Sequence, residues 1–294
     1  MSNFDELVND NQSKNVSNSI NGTVLTDTYT DEELRDVNNI TVTIPDSRTP
    51  IVVFFGSPAS GKTLALLRMI RFLEHNHYQI IPETLFRPQT DKHYAKMCIG
   101  LKDMAYSTYA PGGTDIISFM LVKVLDKVGN PLFQILEAPG EHYFDGGAEL
   151  NFPTYINAIR TATNRKIWVF FVEQDWGSNQ GVRNLYAQKI CSMQGLISPS
   201  DKVVFLFNKV DKHRHQYKKN GQPNKDLFFK NIKQQYPDIF TRYQNTGLDK
   251  ILYGEYNFKA VCFSAGVFNR TNDGREVWTP EKDWYCQELW NAIK

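Results

Sequence analysis

Six runs of apolar and β-branched residues recur along this chain, and they constrain its fold more than any other feature of the sequence. They are IVVFF from residue 51, FMLVKVL from 119, LFQILEA from 132, KIWVFFVE from 166, KVVFLFNK from 202 and FKAVCFSA from 258. Most of these runs are continuously apolar rather than alternating, which is typical of strands that are covered on both faces. The pattern therefore predicts a buried, mostly parallel central sheet of about six strands.

Segments with helical periodicity separate these runs, at residues 62–74, 153–162, 181–196, 226–235 and 280–293. Strands that alternate with helices indicate an α/β fold with helices on both faces of the sheet. In the last segment we expect Thr279 as the N-cap and Pro280 as the first helical residue. One apolar face of that helix is predicted to contain Cys286, Leu289, Trp290 and Ile293.

The remaining segments complete the predicted organisation. The link DKVGNP between the second and third apolar runs is too short for a crossover, so these two strands should form an antiparallel hairpin. The sequence NITVTIPD at 39–46 is predicted as an extra edge strand. Residues 1–38 are expected to be a flexible polar tail. Residues 39–294 then form a single domain with insertions at about 76–113 and 211–257.

The sequence GSPASGKT at 56–63 lies between the first apolar run and the first helical segment. It matches G-x-x-x-x-G-K-[ST], in which the glycines let the backbone curl so that its amides point at phosphate oxygens. Lys62 would then reach the β and γ phosphates, and the Thr63 hydroxyl would bind Mg²⁺. A plain strand-to-helix turn does not explain these two side chains. The predicted nucleotide contacts here are Gly56, Ser57, Ala59, Ser60, Gly61, Lys62 and Thr63.

The sequence FLFNKVD places Asn208, Lys209 and Asp211 directly after a predicted strand. N-K-x-D resembles the guanine-specificity motif of Ras-like and translation-factor GTPases. A carboxylate at Asp211 can accept hydrogen bonds from both N1–H and the exocyclic amine of guanine, whereas adenine would leave it desolvated without partners. The resemblance implies that Asn208 and Lys209 brace the loop and cover the base.

The sequence CFSAG after the last predicted strand resembles the S-A-K loop of the same GTPases. The resemblance implies that the backbone near Ser264 and Ala265 contacts the guanine oxygen. Gly266 replaces the usual lysine, which removes a side chain but retains the backbone donor.

The sequence EAPGE at 137–141 stands where these GTPases carry D-x-x-G. By this resemblance Gly140 donates its N–H to the γ phosphate. Glu137, one methylene longer than the usual aspartate, reaches Mg²⁺ through water. Thr114 in APGGTDIISFM is predicted as the Mg²⁺-binding switch-I threonine, with Thr108 as the alternative.

GTP hydrolysis requires an oriented water and compensation for the charge on the transferring phosphoryl group. Either Glu141 or His142 could position the water, the histidine by resemblance to the D-x-P-G-H motif of translation factors. The α subunits of heterotrimeric G proteins carry an arginine three residues before the switch threonine, but this chain has Pro111 there. Arg87 is either an arginine that swings towards the nucleotide or a solvated residue. The predicted catalytic residues are Lys62, Thr114, Gly140, Glu141 and His142.

The motifs follow one another in the order that these GTPases show, across residues 50–294. The chain thus resembles a small GTPase domain of the Ras-like, translation-factor-related superclass of P-loop GTPases, in a divergent, bacterial-looking branch. The resemblance implies GTP/GDP and Mg²⁺ as ligands and a slow, nucleotide-operated switch that acts with a protein effector or activating partner. A nucleotide-binding scaffold without turnover, and an ATP-using P-loop kinase or motor, remain alternatives.

Composition limits the other partners that we expect. The net charge of +1 provides no general attraction to nucleic acid or to an anionic membrane. No apolar run reaches the ~20 residues that cross a bilayer, so no direct membrane insertion is predicted. The polar N-terminal sequence lacks the apolar core of a signal peptide, which predicts a cytoplasmic protein.

Overall fold

The computed structural model describes residue 33 and residues 36–109, 119–144, 152–177, 179–272 and 276–294. Its centre is a seven-stranded sheet with the order β2-β3-β4-β1-β5-β6-β7. The strands of this sheet are β1 (Ile51–Phe55), β2 (Gln79–Pro82), β3 (Met120–Leu125), β4 (Pro131–Glu137), β5 (Lys166–Glu173), β6 (Lys202–Asn208) and β7 (Lys259–Cys262). A separate antiparallel hairpin consists of β8 (Gly266–Arg270) and β9 (Glu276–Pro280).

The continuously apolar runs form the middle of the sheet. All five residues of β1 are buried, and so are the first seven residues of β5. Because successive side chains of a strand point to opposite faces, this burial requires cover on both faces of the sheet. The prediction of buried strands with helices on both sides is confirmed.

Strand direction also agrees with the sequence pattern. Strands β4, β1, β5, β6 and β7 pair in parallel, whereas β3 is antiparallel to both β2 and β4. The predicted fold class, an α/β P-loop architecture with a mostly parallel sheet and one antiparallel hairpin strand, is confirmed. The sheet has seven strands instead of about six. The additional strand is β2, a short edge strand whose partly exposed sequence QIIP lies inside the predicted first insertion.

Residues 39–46 form no strand, so the predicted extra edge strand is wrong. The segment follows a 3₁₀ turn at Val37–Asn39 and is tied to the domain by a hydrogen bond from Thr43 N to Phe86 O (2.8 Å). It ends where the Asp46 carboxylate accepts hydrogen bonds from the backbone amides two and three residues later. Since β2 and β7 are the outer strands of the sheet, the segment has no strand partner among the described residues.

The helices of the described chain are α1 (Lys62–His75), α2 (Lys92–Tyr106), α3 (Thr154–Thr161), α4 (Gln180–Met193), α5 (Lys225–Gln235), α6 (Gly247–Tyr253) and α7 (Trp284–Ile293). Helix α7 begins later than predicted, because Thr279 and Pro280 pair with the first two residues of β8. The residues of its predicted apolar face are all buried: Cys286, Leu289, Trp290 and Ile293. Among the described residues, none of the helices combines the length and the apolar character that a membrane crossing needs.

The strand directions position the predicted motifs. Since β1, β4, β5, β6 and β7 run the same way, their carboxyl ends meet along one edge of the sheet. In open α/β sheets this edge is where ligands bind. The phosphate loop follows β1, E-x-x-G spans the end of β4, N-K-x-D spans the end of β6, and the S-A loop follows β7. Motifs that lie far apart in the sequence therefore come together at a single edge.

Candidate functional site

The loop between β1 and α1 has the tight backbone that a phosphate site needs. Ala59 and Gly61 both adopt left-handed conformations, with φ of 56° and 84°. Lys62 is buried, and its ammonium group donates hydrogen bonds across the loop to the carbonyls of Gly56 and Ser57, both at 3.0 Å. Burial lowers the pKa of Lys62 to about 8, although the negative charges of the nearby Glu137 and Glu141 act to raise it. The lysine therefore lies inside the curl of the loop.

The two glycines of this loop stand where no side chain fits. A Cβ on Gly56 would lie 2.7 Å from Ser60 Oγ and 2.8 Å from Phe171 Cβ. A Cβ on Gly61 would lie 2.7 Å from Asn208 Nδ2. These separations are shorter than real Cβ atoms show, so glycine at these positions permits the loop to pack against β5 and against the last residue of β6.

Thr63 and Glu137 place a hydroxyl and a carboxylate next to each other beside the loop. The Thr63 hydroxyl donates a hydrogen bond of 3.1 Å to Glu137 Oε1. Burial raises the pKa of the Glu137 carboxyl, while the charge of Lys62 and this hydrogen bond oppose the rise. A hydroxyl and a carboxylate are hard oxygen donors of the kind that Mg²⁺ takes together with phosphate oxygens. No group of three or more His, Cys, Asp and Glu that suits a metal ion occurs among the described residues.

The loop after β4 lies directly on the phosphate loop. A Cβ on Gly140 would be 2.2 Å from Pro58 N and 2.3 Å from the carbonyl carbon of Ser57. All three of its nearest atoms belong to the phosphate-loop backbone, which cannot move aside as a flexible side chain can. Gly140 begins a 3₁₀ turn that ends at His142.

The two candidates for positioning water occupy different environments. Glu141 is exposed, whereas His142 is buried. His142 Nδ1 is hydrogen-bonded to the hydroxyl of Tyr155 in α3, and its buried Nε2 has no hydrogen-bond partner in the described part of the chain. Burial, aided by the charge of Lys62, lowers the pKa of His142 to about 4. His142 is therefore neutral at pH 7.

Asn208 and Lys209 are hydrogen-bonded to the backbone of the phosphate loop. Asn208 Nδ2 donates a hydrogen bond of 2.6 Å to the carbonyl of Ser60. Lys209 Nζ donates to the carbonyl of Ala59 at 2.8 Å and forms an ion pair with Glu173 at 2.7 Å. The bracing of the loop that the resemblance implied is thus present as direct contacts.

The end of this motif is joined to the S-A loop. Ser264 is fully buried, and its hydroxyl donates a hydrogen bond of 2.6 Å to Asp211 Oδ1. Asp211 itself is partly exposed. The backbone adds a hydrogen bond from Val210 N to Phe263 O at 3.3 Å. The carboxylate and the loop that contains Ala265 are therefore fixed relative to each other.

The structure describes one of the three positions considered for phosphate charge and switch I, Arg87, but not Thr114 or Pro111. Thr114 and Pro111 lie outside the described residues, so the role predicted for Thr114 stays a prediction. Arg87 is neither a solvated arginine nor one that swings freely: it is buried and forms ion pairs with Glu33 (2.9 Å) and Asp91 (2.7 Å). These carboxylates anchor the guanidinium between the segment before β1 and the start of α2.

Sequence reasoning missed some neighbours of the site. Glu173, the partner of Lys209, could have been found because it ends a predicted strand at the same edge of the sheet. Tyr155 and Trp278 carry no such indication. They contact the site through packing between segments that have no fixed spacing in the sequence.

No protein-family profile matches the sequence, and no curated protein is significantly similar to it. Among solved structures the fold is similar to a protein described as nucleolar GTP-binding protein 1 of Plasmodium falciparum, at 14% identity and a TM-score of 0.38 over 76% of this chain and 81% of the other. The Ski7 GTPase-like domain of S. cerevisiae bound to GTP has 12% identity and a TM-score of 0.40 over 81% of this chain and 46% of the other. The SRb-GTP/SRX complex of Chaetomium thermophilum has 14% identity and a TM-score of 0.39 over 74% and 90%. Similarity at this level carries no information on what this chain binds.

Proposed function

We propose that the chain binds guanine nucleotide with Mg²⁺ at the carboxyl edge of the sheet and hydrolyses GTP slowly to GDP and phosphate. In this proposal it acts as a nucleotide-operated switch for a protein partner. One observation carries the proposal: the loops after β1, β4, β6 and β7 are joined to one another by direct contacts. A phosphate loop and a base-selecting carboxylate then belong to one rigid site.

Base selection would rest on Asp211. Its carboxylate can accept hydrogen bonds from guanine N1–H and from the exocyclic amine, while adenine offers no such pair of donors. The hydrogen bond from Ser264 holds the carboxylate in place. With adenine bound, the carboxylate would lose water without gaining partners, and such a loss costs about 1–3 kcal/mol or more.

Phosphate binding would rest on the loop amides, Lys62 and the metal. The ammonium of Lys62 already lies inside the loop, where it would neutralise phosphate charge. Thr63 and Glu137 are the residues that would hold Mg²⁺, which supplies further charge neutralisation between the phosphates when bound. The extra methylene of Glu137 fits this role, because its carboxylate reaches the Thr63 hydroxyl.

Slow turnover is supported by the groups around the site. Arg87 would have to leave two buried ion pairs before it could reach a nucleotide. Glu141 is exposed, and His142 is neutral, so neither supplies positive charge to the transferring phosphoryl group. His142 could orient a water through Nε2, with its ring held by Tyr155. A protein partner, or a second copy of the chain, would then supply the missing charge.

A switch needs a loop that senses the phosphates, and the loop after β4 is suited to this role. Because Gly140 lies against the backbone of Ser57 and Pro58, a change in the phosphate loop would alter the position of the loop after β4. Loops that are ordered by the γ phosphate and released after hydrolysis are a known form of switching.

Equilibrium binding of GDP, GTP, ATP and XTP with Mg²⁺ tests the proposal on the wild type and on Asp211→Asn. We expect the wild type to prefer guanine nucleotides. Asp211→Asn should weaken GTP by about 10- to 100-fold, the value of a hydrogen-bonded charge, and shift the preference towards xanthine. Asp249→Asn, the same change on the exposed surface of α6, is the matched control and should leave all four affinities unchanged. Unchanged guanine selectivity in Asp211→Asn would refute the base site.

Measured GTP turnover separates the switch from the alternative of a scaffold that has lost hydrolysis. Slow release of phosphate that a partner accelerates supports the switch. Tight GTP binding with no phosphate release under any condition supports the scaffold. An ATP-using kinase or motor is supported only if ATP binds more tightly than GTP to the wild type.

A further inference from the structure

The hairpin β8–β9 begins immediately after the S-A loop, and one of its side chains reaches back to that loop. Trp278 in β9 is buried, and its indole N–H donates a hydrogen bond of 3.3 Å to the carbonyl of Ala265. Phe268 on the paired strand lies parallel to the indole, with the ring centroids 6.5 Å apart. The hairpin thus places an indole donor against the loop that the guanine oxygen would face.

The indole is held from two further directions. The guanidinium of Arg71 in α1 lies 4.2 Å above the centre of the Trp278 ring, a distance typical of a cation–π contact. Arg71 is itself held by hydrogen bonds to the carbonyls of Ala105 and Ser107. The backbone N–H of Trp278 donates to the carbonyl of Thr108 at 2.8 Å. These contacts leave the indole little freedom to rotate away from Ala265.

Gly266 gives an independent indication that the indole and the loop are fitted to each other. A Cβ at this position would lie 2.4 Å from Trp278 Nε1 and 2.4 Å from the carbonyl oxygen of Thr279. Any side chain here, including the lysine of an S-A-K motif, would displace the indole or the strand. The departure from the motif is therefore what allows Trp278 to reach the loop.

The N–H of Ala265 lies between two fixed points. On one side the Ser264 hydroxyl is bound to Asp211 Oδ1, and on the other side the Ala265 carbonyl is bound to Trp278. Holding the Ser264 side chain and the Ala265 carbonyl restricts rotation of the backbone between them, and this limits the directions in which the Ala265 N–H can point. We propose that Trp278 is a positioning residue for guanine selection, which orients the Ala265 N–H towards the O6 oxygen of the base. This inference rests on the proposed function.

Trp278→Phe removes the indole donor and retains a buried aromatic ring. Trp290→Phe makes the same change at a buried tryptophan of α7 that packs against Tyr78 and Phe133, outside the site, and is the matched control. Affinities are measured for three triphosphates with Mg²⁺. GTP has O6 and the 2-amine, ITP has O6 without the 2-amine, and 2,6-diaminopurine riboside triphosphate has the 2-amine with an amine in place of O6.

We expect Trp278→Phe to weaken GTP and ITP by the same factor, about five- to tenfold, the worth of one oriented hydrogen bond. The diaminopurine nucleotide has no O6 to accept this hydrogen bond, and its 6-amine opposes the Ala265 N–H, so Trp278→Phe should not weaken its binding. The GTP-to-ITP ratio therefore stays constant while the GTP-to-diaminopurine ratio narrows. Trp290→Phe should change neither ratio. Gly266→Ala should narrow the same ratio, because its methyl group would overlap both the indole and the Thr279 carbonyl and so disturb the contact between Trp278 and Ala265.

The affinity changes of the three nucleotides in Trp278→Phe show whether Trp278 orients the Ala265 N–H or only supports the structure. Equal weakening of all three nucleotides would mean that Trp278 only supports the structure, and three unchanged affinities would mean that it does not orient the loop. Either result overturns the inference while wild-type preference for GTP over ATP still stands. If the wild type shows no such preference, the proposed function itself fails, and the two failures are therefore distinguishable.

Discussion

Gly140→Ala tests the contact that joins the loop after β4 to the phosphate loop. The change adds one methyl group, and that methyl would lie 2.2 Å from Pro58 N, 2.3 Å from the Ser57 carbonyl carbon and 2.6 Å from Pro58 Cα. Ordinary contacts of this kind are 3.4–4 Å. The two loops must therefore separate by about 1 Å, because the obstructing atoms are backbone and have no rotamer that relieves the overlap.

The cost follows from that separation. Inserting a methyl group into a well-packed region typically costs about 1–3 kcal/mol. For a chain of this size that loss of unfolding free energy would lower Tm by roughly 2–5 °C. The affinity for GTP should fall as well, because the displaced backbone is the part of the loop whose amides would face the phosphates.

Gly100→Ala is the matched control, since it adds the same methyl group inside α2, where no atom lies within 4 Å. Alanine is the better helix former, so this variant should gain about 0.5–1 kcal/mol. Chemical denaturation of the nucleotide-free proteins and titration with GTP measure both effects. If Gly140→Ala matches Gly100→Ala in stability and the wild type in GTP affinity, the loops are not in contact in solution and the reasoning is wrong.

Two further predictions concern buried charges. The pKa of Lys62 is about 8 in the nucleotide-free protein, and bound phosphates must raise it, so GTP affinity should be constant below about pH 7 and fall about tenfold between pH 7 and pH 9. Lys62→Gln should bind more weakly, with no such pH dependence. Burial raises the pKa of Glu137, so its charged form destabilises the nucleotide-free protein as pH rises through that pKa. Glu137→Gln should therefore have a higher Tm than the wild type at neutral pH, and this difference in thermal melts should disappear in acid; a constant difference would contradict it.

The sequence predicts the parts of the molecule that depend on local chemistry and on strand direction. Continuously apolar runs indicate buried parallel strands, and the carboxyl ends of such strands must meet at one edge. At this edge Asn208 at the end of β6 and Ser60 after β1, far apart in the chain, are hydrogen-bonded. The glycines at 56 and 61 follow from the same reasoning, because the motif requires close backbone approaches.

The wrong predictions concern segments whose secondary structure depends on pairing with strands far away in the sequence. Residues 39–46 have the alternation of a strand, but they find no edge with which to pair. The sequence QIIP of β2 is too short to indicate a strand, yet β3 offers it an edge. Thr279 and Pro280 look like the start of a helix and instead pair with β8. A local sequence pattern does not show which segments compete to pair with a strand. Contacts between distant segments decide that competition.

The departures from the GTPase motifs are compensated by neighbours that only the folded chain reveals. Glu137 is longer than the usual aspartate, and its carboxylate reaches the Thr63 hydroxyl directly. Gly266 lacks the usual lysine, and the Trp278 indole fills the space that a side chain would need. Glu137 thus keeps a carboxylate beside Thr63, and Gly266 leaves room for the indole. Close packing fits neighbours together in any folded protein, so these contacts alone do not distinguish a working site from one that has lost turnover. Both departures are compatible with the proposed site, and the measured GTP affinity and turnover decide whether it is in use.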